Sequence, residues 1–253
     1  MRLRTAALIA LCALAPAAGA QSVAEHIAAG DREYASLKPS AALPHYEAAV
    51  AADPKSYEAL WKASRTAIDV GEMEADANAR KQIYKKGEEY ARRAVAANPS
   101  DAEGHFHLAR SLGRTALSLG KRDRVKYAGE VRTHALQALQ LNPKHAGALH
   151  VMGMWNAEIM RLSGIQRFAA KTLLGGKVFG EASWKEAVRY MEAAVASEPD
   201  RIVHRIDLAE VYEDVGDKVK AREQYQVVLR STVLDAKDPT YKAQAEERLK
   251  KLG

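Results

Sequence analysis

The histidines, paired carboxylates, one glycine-rich turn and the single cysteine are the residues of this 253-residue chain that could carry catalysis or hold a metal. A metal needs several ligands converging on one point, and a helix brings side chains together only at spacings of three and four. His105 and His107 are two apart and point to different sides of a helix. His145 and His150 straddle a turn with no partner at ligand spacing. The eight histidines therefore read as surface or packing residues. Gly175-Gly176-Lys177 resembles a phosphate loop only superficially: the upstream glycine, the Ser or Thr after the lysine and a preceding strand are all missing. No Gly-x-Ser-x-Gly elbow occurs. Glu88-Glu89 and Glu246-Glu247 are consecutive and diverge on helices. Cys12 alone permits neither an intrachain disulfide nor a cysteine-rich zinc site. The expectation is a protein that is not an enzyme, with no cofactor and no metal, whose chemistry is recognition by aromatic and charged side chains.

Those side chains need elements to position them, and the chain repeats one element. Ala49-Val-Ala-Ala-Asp-Pro54, Ala94-Val-Ala-Ala-Asn-Pro99, Ala138-Leu-Gln-Leu-Asn-Pro143 and Ala194-Val-Ala-Ser-Glu-Pro199 are four variants of one phrase. Proline cannot continue a helix and biases the preceding residue away from helical angles, so each phrase ends one helix and begins the next. Small residues recur where two helices must approach: Ser64, Ala109 and Gly153 in first helices, Ala94, Ala138 and Ala194 in second helices. This is the tetratricopeptide pattern of helix–turn–helix units. The fold class expected is all-α, a tetratricopeptide-like α-solenoid of about five units. The proline-to-proline steps of 45, 44 and 56 residues exceed the ~34 of the standard unit, so the middle units carry long inserts. Those at 72–82 and 121–129 are polar and read as extensions of the hairpin helices. The one at 162–184 is apolar at Ile165, Phe168, Leu173, Leu174, Val178 and Phe179, and reads as a short amphipathic helix and a loop folded over the solenoid.

In this repeat class the first helix of each unit lines the concave face. The groove residues expected are Trp61 and Arg65 in the second unit, Phe106, Arg110 and Arg114 in the third, His150, Met154 and Glu158 in the fourth, and Ile206, Glu210 and Glu213 in the fifth. Trp61, Phe106, His150 and Ile206 form a row of large side chains at one repeat position. The three arginines make one end positive, and Glu158, Glu210, Glu213 and Asp214 make the other negative. Aromatics and Arg are the types enriched at binding hot spots, and opposed charge orients a partner. The plainer reading is that Trp61 and Phe106 pack on the inserts and the charges pair between neighbouring helices.

Residues 1–20 read as a cleavable signal peptide: Arg2 and Arg4, an apolar run from Thr5 to Ala15, and Ala18-Gly19-Ala20 before the cut. Leu11 before Cys12 does not fit a lipoprotein signal. The helical repeat domain is then 21–253, expected as a soluble periplasmic protein. The formal charge of +6 is spread in alternating signs along helices, the pattern of a solvated face, so no nucleic-acid partner is expected.

The order of these features resembles the regulator of microtubule dynamics family, a branch of tetratricopeptide-like proteins, from about Leu60 to Leu249. The residues that carry the resemblance are Leu60-Trp-Lys-Ala-Ser-Arg65, Tyr84-x-x-Gly87 with Ala91-Arg-Arg-Ala-Val95, and Leu162-Ser-Gly-Ile165 with Ala170-Lys-Thr-Leu173 and Gly176-Lys177. The resemblance implies an all-helical domain without catalysis that works through partners, and for an exported chain it does not imply microtubules. The function expected is a protein- or peptide-binding scaffold in a bacterial envelope, of unknown oligomeric state. The alternative is a carrier of a lipid or another apolar ligand, with the 162–184 insert as its lid.

Overall fold

The computed structural model describes residues 18–119, 121–164, 167 and 178–253. Five antiparallel helix pairs follow in order: α1 (Ala18–Ala35) with α2 (Pro39–Ala52), α3 (Tyr57–Met73) with α4 (Ala77–Ala97), α5 (Ala102–Leu117) with α6 (Lys121–Leu141), α7 (Ala146–Met160) with α8 (Trp184–Ser197), and α9 (Ile202–Asp214) with α10 (Lys218–Arg230). A last helix, α11 (Asp238–Leu252), packs on α9 and α10. A 3-10 turn at Val178–Glu181 precedes α8. No strand occurs among the described residues.

The repeated phrase is a two-part punctuation mark. Asp53, Asn98 and Asn142 close α2, α4 and α6, and each side-chain oxygen accepts a hydrogen bond from the amide two residues on, at 2.9, 3.2 and 3.1 Å. A short side chain holding its own turn, followed by proline, stops the helix and aims the chain at the next one. N-caps then restart it: Ser56 for α3, Asp101 for α5 and His145 for α7, whose Nδ1 accepts from Ala148 N–H at 3.2 Å. At the fourth copy Glu198 is longer, and its carboxylate reaches the His204 ring instead.

Close packing follows the small residues. Ser64, Ala109, Ala94, Ala138 and Ala194 are fully buried. A methyl group at Gly153 would lie 2.5 Å from the side chain of Met191, so α7 and α8 approach closely only with glycine there. The inserts at 72–82 and 121–129 lengthen helices: α4 and α6 run to 21 residues each. Of the third insert, 165–166 and 168–177 fall outside the described residues. Phe179 is buried among Leu108, Leu112, Val131, Trp155 and Ile159, so this end of the insert does fold onto the solenoid. The signal peptide read at 1–20 lies almost wholly outside the described residues.

The superhelix curls far enough to meet itself. Lys237, just before α11, places its Nζ 3.4 Å from the carboxylate of Glu72 near the end of α3. The concave face thus bounds a cavity that this contact bridges at one side.

Candidate functional site

The cavity has a volume of about 990 Å³ and is walled by α3, α5 and α7, the start of α9 and the segment before α11. Eight of the expected groove residues line it: Trp61, Arg65, Phe106, Arg110, Arg114, His150, Met154 and Glu158. Ile206, Glu210 and Glu213 do not. Helix α11 covers that face of α9. Ile206 is fully buried in the cluster with Met191, Tyr225, Tyr241 and Ala245. Glu210 accepts from Gln244 at 2.6 Å, and Glu213 accepts from Tyr225 and sits 3.6 Å from Arg248. Those three residues serve packing and pairing with neighbouring helices, and the sequence pattern of α9 does not reveal that another helix lies on it.

Of the expected row only Trp61 and Phe106 share a ring wall, which His107 and His145 complete, while His150 pairs with His204 and Ile206 is in the core. Trp61 stacks on His107 with centroids 5.4 Å apart and planes 3° from parallel. Phe106 lies 4.6 Å from His107 and 4.7 Å from His145. Glu103 ties the wall together, 3.3 Å from His107 Nε2 and 3.3 Å from His145 Nε2. The two imidazoles beside it hold its carboxyl well below the usual range. Burial pulls His107 down to about 4, so at neutral pH it is an uncharged ring. Because His145 Nδ1 accepts the cap bond, its proton sits on Nε2, facing Glu103. These three groups therefore do not make a metal site, and no cluster with metal geometry occurs among the described residues.

At the polar end the arginines are already partnered. Arg110 donates to Asp69 at 2.6 Å, and Arg114 lies 2.5 Å from Glu72. Tyr34 donates to Asp69 at 2.8 Å. Burial raises Glu72, but Arg114, Arg110 and Lys237 outweigh it and hold the carboxyl at about 2. For Asp69 burial wins over Arg110 and the group titrates above its ordinary value. The negative end is likewise quenched: Arg161 bonds Glu158 at 2.7 Å and Asp214 at 2.6 Å. The expected polarised field is thus flattened by pairs across neighbouring helices. Arg65 is different. Its guanidinium lies 3.7 Å from the Tyr34 ring centroid and 5.2 Å from Trp61, and it forms no ion pair among the described residues. Its Nε is buried without a hydrogen-bond partner.

Sequence reasoning missed several wall groups. Glu72 stands one turn beyond Asp69 on the same face, a spacing that could have flagged it. Lys237 gave no signal, since its partner is 165 residues away. His105 and His107 do diverge: His105 pairs with His134 on α6, while His107 faces the cavity. His145 and His150, which lack partners at local spacing, find them on other helices: Glu103 on α5, and His204 and Asp207 on α9. The lining also has an apolar share, with Leu117, Val151, Met154, Trp155 and Ile159, and at Gly113 in the same wall an added Cβ would meet nothing within 4 Å.

The sequence profile of the family described as regulator of microtubule dynamics protein 1-3 matches residues 26–253. Regulator of microtubule dynamics protein 1 of Bos taurus is 28% identical over 144 residues, which are 56% of this chain and 45% of that protein. Regulator of microtubule dynamics protein 3 of Bos taurus is 22% identical over 188 residues, 74% of this chain and 40% of that protein. The chain thus spans less than half the length of these curated relatives. Among solved structures, a thermophilic TPR protein of Thermus thermophilus superposes with a TM-score of 0.64 at 23% identity, covering 89% of this chain and 99% of that one. The pilF protein of Pseudomonas aeruginosa superposes at 0.51 with 15% identity, covering 92% and 93%. Both likenesses establish the tetratricopeptide fold.

Proposed function

The chain belongs to the regulator of microtubule dynamics protein 1-3 family, and from that premise we propose that it is a non-enzymatic scaffold whose superhelical cavity receives a segment of a protein or peptide partner. The observation that carries this reading is the ring wall from Trp61 through His107 and Phe106 to His145, with Arg65 beside it free of any ion-pair partner among the described residues. Aromatic faces give large contact area for little ordering cost, and a stacked guanidinium without a carboxylate takes an acidic group. Arg110 and Arg114 serve the wall instead, because Asp69 and Glu72 already neutralise them. Recognition runs through side chains, since a helical wall offers no free backbone edge to pair with.

The place of action we infer is the bacterial periplasm, on the strength of the leader read at 1–20. The relatives' microtubule name is not carried over to this chain, which covers less than half of each of them.

Selection from a displayed library of random peptides tests the reading. The wild-type chain is expected to enrich peptides with an acidic group near aromatic or aliphatic anchors. Gly113→Phe projects a ring into the cavity at a position with no neighbour within 4 Å, and is expected to weaken enrichment strongly while keeping the helical circular dichroism. Equal enrichment on Gly113→Phe would reject the cavity as the site. The apolar lining residues Val151, Met154 and Ile159 favour a second reading, a carrier of an apolar ligand such as a lipid. Organic extraction of the purified protein separates the two: recovered lipid supports the carrier.

A further inference from the structure

A histidine pair in the cavity wall joins the inner helices of the fourth and fifth units. His150 on α7 and His204 on α9 place their Nδ1 atoms 2.9 Å apart. His150 Nε2 is 3.1 Å from Asp207, and His204 Nε2 lies 3.4 Å from Glu198 without hydrogen-bond geometry. A contact of 2.9 Å between two ring nitrogens requires one proton between them, neither zero nor two. One shared proton satisfies the ring-to-ring contact. A second proton at that contact puts N–H against H–N, and the rings must part.

We propose that the His150–His204 pair is a one-proton latch: holding a single shared proton it fastens α7 to α9, and taking up a second from solvent it releases them and opens the cavity in mild acid. Other groups set the threshold. From α9 itself come Asp207 and Arg201, and Arg201 is in turn held by Asp235 at 3.1 Å. From the end of α8 comes Glu198, and from the turn before α7 comes His145. From α5 and α3 come Arg114 and Glu72, which act on Asp207. Burial holds His204 at about 4, with Glu198 opposing and His150 and Arg201 adding to the effect, so His204 is the ring that protonates last. Opening that lets it recover an ordinary value near 6.5 is favoured about thirtyfold more at pH 5 than at pH 7.5.

The test uses the whole chain with ¹⁵N-labelled histidine. At pH 7 a scalar coupling across the hydrogen bond is expected between His150 Nδ1 and His204 Nδ1. It should vanish on acidification as amide exchange in α7 and α9, corrected for its intrinsic pH dependence, rises about thirtyfold. In His204→Asn, which cannot take the second proton, that rise should be absent. Three results would overturn the latch: no coupling at pH 7, a coupling that survives while exchange rises, or the same acid-driven rise in His204→Asn. The coupling is read in the wild-type chain, so the test does not depend on the variant folding.

Discussion

Glu72→Gln is the substitution whose cost can be worked out most directly. Glu72 is almost wholly buried and faces three cations: Arg114 at 2.5 Å, Lys237 at 3.4 Å and Arg110 at 3.5 Å. Its carboxyl titrates at about 2 in the folded chain against an ordinary 4.5. That gap of roughly 2.5 units corresponds to about 3.4 kcal/mol of stability at pH 7, at ~1.36 kcal/mol per unit. The figure agrees with the ~3–5 kcal/mol lost when one partner of a buried ion pair is removed. A folded value below the unfolded one means the contribution is complete above 4.5 and disappears as pH falls through 2. At pH 3 it should be down to about 1.4 kcal/mol. Urea unfolding of wild type and Glu72→Gln at pH 7, 5 and 3 reads this out as a gap that narrows with acid. Lys237→Met should cost less, because Glu72 keeps both arginines. A gap below ~1 kcal/mol at pH 7, or one that stays constant down to pH 3, would refute the electrostatic reasoning.

Gly113→Ala and Gly153→Ala should move stability in opposite directions. The first adds a methyl in open space on a helix and is expected to raise stability by about 0.5–1 kcal/mol, whereas the second drives a methyl to 2.5 Å from Met191 and should lower it by ~1–3 kcal/mol. Paired thermal melts decide, and equal shifts would contradict the packing described for α7 and α8. Buried His107 and His204, both held at about 4, stay neutral in the fold and must protonate in the unfolded chain below 6.5. Stability is therefore expected to fall as pH drops from 6.5 toward 4, by about 2 kcal/mol per group at pH 5. A flat stability profile across that window would exclude this. Asn98→Ala removes the acceptor that holds the turn between α4 and α5, with an expected loss of roughly 1 kcal/mol in the same unfolding assay.

Fold legibility came from punctuation. Four Ala-rich phrases ending in an acidic or amide residue and proline mark the helix pairs, because the short side chain and the missing N–H act locally. The same locality explains why eight wall residues could be read from α3, α5 and α7: their inner faces look into the cavity, so helical phase alone positions them. Ile206, Glu210 and Glu213 follow the same phase, yet α11 lies on that face, and nothing within α9 signals it. The charge field failed for a related reason. Arg110 and Arg114 look free in their own helix, and their partners Asp69 and Glu72 belong to the preceding unit. The histidine contacts were the least legible, since His150 meets His204 across 54 residues and two helices.

The central claim is that the cavity receives a protein or peptide segment, and native mass spectrometry of the chain purified from its own host tests it most directly. The account predicts a bound polypeptide mass that is strongly reduced in Gly113→Phe and weakened in Arg65→Glu. A bound mass of a few hundred daltons that organic solvent extracts, or a polypeptide retained equally by both variants, would contradict it.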